Sequence, residues 1–199
     1  MNGAGKSSIA GAAFRAFGAD YYNPDEAAHK LIAVDPHLSQ ADANSAAWHQ
    51  GVRLLKQAIE QRLDFAFETT LGANTITRLL AHAASRGIAI HVWYVGLSSP
   101  ELHMERVQSR VRRGGHDIPA EDIHRRYERS RLNLIELLPR LAALRVYDNS
   151  AEADPAAGRT PKPVLVLHMK RQKILDPRDL AHTPDWAKPI VAAAIKLSR

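Results

Sequence analysis

Gly3-Ala4-Gly5-Lys6-Ser7-Ser8 sets a lysine and a serine directly behind two closely spaced glycines, with Asn2 leading in. Those types in that order are the closing half of a phosphate-binding loop, G-x-x-x-x-G-K-[ST]. Glycines let successive backbone N–H groups curl around phosphate oxygens. Lys6 can place a point charge on the β- and γ-phosphates, and Ser7 can offer its hydroxyl to Mg²⁺. The apolar, Ala-rich run from Ile9 to Phe17 makes the loop open a helix, whose N-terminal dipole adds to anion binding. Asn2, Gly3, Ala4, Gly5, Lys6, Ser7 and Ser8 are therefore the candidate nucleotide residues, with ATP and Mg²⁺ as the expected ligands. Counting back five from Gly5, the first glycine of the full pattern falls one position before Met1, and a strand feeding the loop is expected upstream of that.

Two carboxylates follow. Asp25 comes just after a short strand-like stretch, where it could take a proton from a substrate hydroxyl. Its other reading is a first-turn acid that the helix dipole favours, and Glu26 shares that ambiguity. Glu68 ends a compact aromatic run, Phe65-Ala66-Phe67, and a carboxylate there is costly unless paired or at a site. It could hold a substrate hydroxyl or, through water, Mg²⁺; a structural salt bridge is the alternative. Thr69 and Thr70 are secondary contacts of the same segment.

A basic stretch comes next. Arg106, Arg110, Arg112 and Arg113 precede Gly114-Gly115, and Arg125, Arg126, Arg129 and Arg131 follow Pro119. Arginines around a Gly-Gly hinge suit a lid that closes over a transferring phosphoryl group. Arg106, Arg110 and Arg113 share one helical face at i, i+4 and i+7. Most of the eight are expected to be solvated surface. The histidines show no H-E-x-x-H or similar ligand spacing, and His116 reads as a turn residue.

Composition bounds these possibilities. The 199 residues suffice for one α/β domain, and 45% apolar with 24% charged is ordinary for a globular chain. A net charge of +6 fits a protein that handles anions. The lack of cysteine removes disulfides and thiolate metal sites. No membrane-length apolar run or signal peptide is visible, so a cytoplasmic location is expected. Arginine without interleaved aromatics beyond Tyr127 makes nucleic acid an unfavoured partner.

The elements that must position these residues alternate. Strands are expected at 19–22, 65–71, 88–97 and 145–150. Helices are expected at 27–34, 38–63, 74–86, about 100–113 and 120–144, then a hairpin over 164–175 turning at Arg171-Gln172 and a last helix from Thr183-Pro184-Asp185. The segment 151–163 reads as a linker. This order predicts an α/β sandwich of three layers with a mainly parallel sheet, a helical Arg-rich lid at about 101–131 and a C-terminal hairpin plus helix at about 163–199, all in one domain of 1–199.

These motifs together resemble the zeta toxin family of P-loop kinases, in the branch often described as predicted ABC-type ATPases. The matching residues are Asn2 to Ser8, Asn23-Pro24-Asp25-Glu26, Phe67-Glu68-Thr69-Thr70-Leu71 and Arg106 to Arg113. Gly114-Gly115-His116-Asp117-Ile118-Pro119 with Arg125-Arg126-Tyr127, Asp148-Asn149-Ser150 and Thr183 to Ala187 complete them. The resemblance implies an ATP-dependent kinase that phosphorylates a sugar hydroxyl of UDP-N-acetylglucosamine and is blocked by an antitoxin protein. It implies Lys6 and Ser7 on phosphates and Mg²⁺, Asp25 as base, Glu68 with Thr70 orienting substrate, and Arg110 with Arg125 or Arg126 on the γ-phosphate. It also implies a central strand ahead of the loop, expected either upstream or lost in a shortened copy.

A kinase for another small metabolite on the same scaffold, and a nucleotide- or RNA-binding module without turnover, are the rival readings. Asp25 separates both kinases from the binding module, which has no need of a base. Lys6→Ala is expected to abolish ATP binding and any toxicity; equal growth inhibition by wild type and variant on induction would overturn the loop assignment.

Overall fold

A computed structural model describes residues 3–11, 21–112, 114–115, 117–151, 162–176 and 181–199. Asn2, most of the 9–17 helical run, Arg113, His116 and nearly all of the 151–163 linker lie outside the described residues. The chain belongs to the α/β class expected of it, with six α-helices and two sheets among the described residues. It divides into two compact units, Ser7–Thr69 and Met1–Lys6 with Thr70–Arg199.

The Ser7–Thr69 unit holds β1 (Tyr21–Tyr22), α1 (Pro24–Val34), α2 (Gln40–Gln61) and β2 (Ala66–Phe67). Strands β1 and β2 pair in parallel, Tyr21 opposite Ala66 and Tyr22 opposite Phe67. Helix α1 starts where Asn23 Oδ1 accepts from Asp25 N at 2.9 Å and Pro24 presets the first turn. Helix α2 starts at Ser39, whose Oγ accepts from Asp42 N at 3.1 Å and donates to Asp42 Oδ2 at 2.6 Å. It runs unbroken within the span expected at 38–63 and ends in the left-handed Arg62 (φ 56°). Buried Ala28, Ala43 and Ala47 let α1 and α2 approach closely beneath Leu31 and Ile32. Strand β1 docks on α2 through Tyr22, whose hydroxyl donates to Ala47 O and whose ring fills the space a Cβ on Gly51 would need.

In the other unit, β3 (His91–Gly96), β4 (Ala143–Asp148), β5 (Val164–Lys170) and β6 (Lys173–Asp176) form one sheet in that order. β3 and β4 are parallel, and the hairpin β5–β6 adds antiparallel strands. The hairpin turns at Arg171 (φ 47°) and Gln172 (φ 64°), as expected, in a left-handed pair that fits strand twist without glycine. Helices α3 (Asn74–Ser85), α4 (Pro100–Val111), α5 (Ala120–Leu137) and α6 (Lys188–Leu197) belong to this unit. The expected helix over 120–144 stops at Leu137. Pro139 permits only a short 3₁₀ turn, Leu138–Arg140, and the strand expected at 145–150 runs from Ala143 to Asp148, paired on both sides. Leu144, Val146, Leu167 and Met169 are fully buried on one sheet face, with Leu134, Leu137 and Ile190 buried in the helices. Burial pushes the Tyr94 and Tyr127 hydroxyls up, so both stay protonated; Tyr94 OH and Ser130 Oγ share a hydrogen bond of 2.9 Å, and Tyr127 OH donates to Ser98 O at 2.9 Å. Among the described residues no helix is long and apolar enough to cross a membrane.

Trp186 packs on the end of β3. A Cβ on Gly96 would sit 2.3 Å from its ring. Gly96→Ala should therefore lower the melting temperature by about 4–10 °C, the reach of a costly overpacking; an unchanged midpoint would mean that Trp186 moves aside freely. On the sheet, Arg145, His168 and Asp176 stand in register across β4, β5 and β6. Burial, then the Arg145 guanidinium, holds His168 below the ordinary histidine range. The folded state then binds that proton less readily than the unfolded chain. Its contribution is full above the unfolded value of about 6.5 and is lost as pH falls through the lowered one. His168→Gln should lose less melting temperature than wild type between about pH 7.5 and 5, and parallel curves would exclude this ladder as the cause.

Candidate active site

The loop residues divide between the units: Gly3 to Lys6 belong to one and Ser7 to the other. In the Ser7–Thr69 unit, Ser7 to Gly11 form a π-helical turn in place of the expected α-helical start. The expected strand 65–71 is only Ala66–Phe67, because the ladder with β1 ends there. Glu68 N still donates to Tyr22 O at 2.9 Å, which fixes Glu68 at the carboxyl end of β2. This is the edge where parallel α/β sheets carry their ligands.

The Glu68 carboxylate gathers hydroxyls. Its Oε2 accepts from Ser7 Oγ at 2.6 Å and from Tyr21 OH at 2.7 Å. Asn23, buried, caps α1 with its carbonyl while its amide lies 3.4 Å from Ser7 Oγ and 3.3 Å from Glu26 Oε1. Asp25 is half-buried in the first turn of α1, where the helix dipole favours its charge, and Glu26 is exposed. Ser7, Glu68 and the Asn23-Pro24-Asp25-Glu26 segment are thus brought together. Ser7 Oγ and the Glu68 carboxylate are hard oxygen donors of the kind Mg²⁺ takes, one or two from protein and the rest from water and phosphate. Among the described residues no group of three or more His, Cys, Asp and Glu could hold a metal ion by itself.

In the other unit the loop takes two left-handed glycines, Gly3 (φ 67°) and Gly5 (φ 82°), around a fully buried Ala4. A Cβ on Gly3 would meet His103 O at 3.2 Å, so the loop lies directly on α4. Ala4 O accepts from Asn149 Nδ2 at 3.0 Å. Thr70 Oγ1 accepts from Gly72 N at 3.4 Å, and Asn133 Nδ2 donates to Leu71 O at 2.8 Å, which holds Leu71 at φ 53°.

The arginines sort by environment. Gly115 N donates to Arg110 O at 3.0 Å, Gly114 turns at φ 88°, and the Arg110 side chain fills the space beside Gly115. Arg125, exposed, and Arg126, half-buried, both pair with Asp122, and Arg126 also packs on Gly72. Arg131 stacks 4.3 Å over the Tyr127 ring and donates to Trp186 O at 3.3 Å, a structural use. Arg106 donates to Ala151 O at 3.1 Å, while Arg112 and Arg129 are exposed.

Sequence reasoning did not single out Tyr21, Asn133 or the individual side chains of Asn23 and Asn149. The Asn23-Pro24 pair is a helix-start signal that could have marked Asn23; Tyr21 and Asn149 make bonds spanning 47 and 145 residues, which no local pattern carries.

Comparison with known proteins gives a family. The model described as Zeta toxin matches residues 1–154. A protein of Haemophilus influenzae (strain ATCC 51907 / DSM 11121 / KW20 / Rd), described as an uncharacterized protein, is 33% identical over 126 residues, covering 61% of this chain and 83% of that one. No solved structure matches. With its glycine loop, its lysine and serine, and a family match over more than half its length, the chain belongs to the zeta toxin family and shares that family's P-loop, kinase-like character.

Proposed function

We propose that this chain is an ATP-dependent phosphotransferase acting on a hydroxyl of a small molecule. The acceptor is a nucleotide sugar such as UDP-N-acetylglucosamine, and the protein is the toxin of a toxin–antitoxin pair, with the antitoxin covering the nucleotide site. The observation that carries the reading is the 2.6 Å pairing of Ser7 Oγ with the Glu68 carboxylate at the end of a parallel strand. A P-loop serine next to an acid is what a Mg-nucleotide site requires.

In this reading Ser7 would hold Mg²⁺, with Glu68 on a water beside it and Tyr21 keeping that carboxylate in place. The metal supplies charge neutralisation on the phosphates. Lys6 places its ammonium on the β- and γ-phosphates. Asp25 takes the proton of the acceptor hydroxyl as that oxygen bonds to the γ-phosphorus and the bond to the β-phosphate oxygen breaks, leaving ADP. Thr69 and Thr70 orient the acceptor together with Glu68. Arg110, with Arg125 or Arg126, stabilises charge on the group in transfer, and Asp122 keeps the last two guanidinium groups at the start of α5.

Asp25→Asn keeps the shape but cannot take the proton. It should bind Mg-ATP within about twofold of wild type while phosphorylation of UDP-N-acetylglucosamine falls by about a hundredfold or more, the range general-base removal covers. Transfer at the wild-type rate by the variant would leave Asp25 as a helix-end acid only.

A further inference from the structure

We infer that Asn149 is the positioning residue of the phosphate loop, acting on Ala4 rather than on any ligand; this rests on the nucleotide reading above. Asn149 follows β4 directly and is buried at 8% exposure. Its own backbone is fixed, because its N–H donates to Gly96 O at 3.0 Å and extends the β3–β4 ladder by one residue. The neighbouring Asp148 is tied as well. Its Oδ1 accepts from Ser150 N at 3.2 Å, from the Ser150 hydroxyl, and from Trp186 Nε1 at 3.2 Å. The strand tip that presents Asn149 is thus tied both to β3 and to Trp186.

From that tip Nδ2 donates to Ala4 O at 3.0 Å, in a buried bond across 145 residues. The carbonyl and the following N–H of a trans peptide point in opposite directions. Drawing Ala4 O toward β4 therefore turns the Gly5 N–H away from it, to the opposite side of the loop. That N–H lies immediately before Lys6, among the donors a phosphate loop presents to its anion. Helix α4 holds the loop from a second direction, since a Cβ on Gly3 would already meet His103 O at 3.2 Å and Arg106 Cβ at 3.4 Å. Ala4 is caught between these supports with no exposed surface. An amide is the side chain needed at 149: its N–H₂ donates to a carbonyl, whereas a carboxylate of the same shape would set acceptor against acceptor.

The test uses the full chain and two readouts. Titration calorimetry gives the Kd for Mg-ADP, and hydrogen exchange of the segment containing residues 3–6 is followed without nucleotide. The proteins are wild type, Lys6→Ala, Asn149→Asp, Asn149→Ala and Ser130→Ala. The last removes a buried bond of similar size, Tyr94 OH to Ser130 Oγ at 2.9 Å, and serves as the control for lost stability alone. Asn149→Asp should raise the Kd roughly tenfold or more and speed exchange at 3–6, with Asn149→Ala giving the same two changes more weakly. Ser130→Ala should leave both near wild type. Wild-type Kd and exchange in both Asn149 variants would overturn the inference, as would an equal loss in Ser130→Ala. Equal Mg-ADP binding by wild type and Lys6→Ala, or none by wild type, would overturn the nucleotide reading itself, and with it the loop Asn149 is said to position.

Discussion

A half-buried carboxylate has to be given hydrogen-bond donors, and in the Ser7–Thr69 unit this requirement orders everything near Glu68. Two hydroxyls converge on one of its oxygens, one from the phosphate loop and one from β1. Charge-assisted bonds of this kind are about twice as strong as neutral ones. They join three stretches that are far apart in sequence and whose strands are two residues long among the described residues. A pair of strands that short has little ladder to hold it, so side chains at its carboxyl end carry much of the organisation. Glu68 is then both a structural centre and the acid nearest the loop serine.

The same economy recurs with asparagine. Asn23, Asn133 and Asn149 are all buried: Asn23 Oδ1 accepts from Asp25 N to cap α1, while Asn133 Nδ2 and Asn149 Nδ2 donate to the carbonyls of Leu71 and Ala4. Asparagine suits the task because it donates and accepts without charge, so it needs no counter-ion in a dry setting. Leu71, a non-glycine residue, holds a left-handed backbone conformation beside one of these contacts. Such conformations persist where surrounding structure over-determines them.

What could be read from the chain beforehand was local. The helix from Pro100 was legible because a cap, Ser99, and a first-turn proline are neighbours in sequence, whereas the helix expected at 27–34 begins three residues earlier, at Pro24. The Arg171-Gln172 turn was legible because apolar runs flank it. Glu68 stood out as a charge in an aromatic run, but the strand around it proved shorter, since pairing ends where β1 ends rather than where residue type changes. The strand expected at 145–150 was legible in kind but not in its start: Ala143 and Leu144 continue the helical pattern, and their partners β3 and β5, some fifty and twenty residues away, decide their state. The roles of Tyr21 and Asn149 are invisible at that level, because each is defined by a partner that only folding supplies.

The family match stops at residue 154, and the fold does not. Strands β5 and β6 complete the sheet beyond β4, burying Val166, Leu167 and Met169, and the C-terminal segment buries Trp186, Ile190, Val191 and Ala194. Trp186 reaches back to the tip of β4 and covers the backbone of Gly96, both inside the matched stretch. The matched stretch therefore borrows part of its interior from sequence beyond the match. A chain cut after residue 154 would leave one edge of β4 unpaired and the Gly96 backbone uncovered.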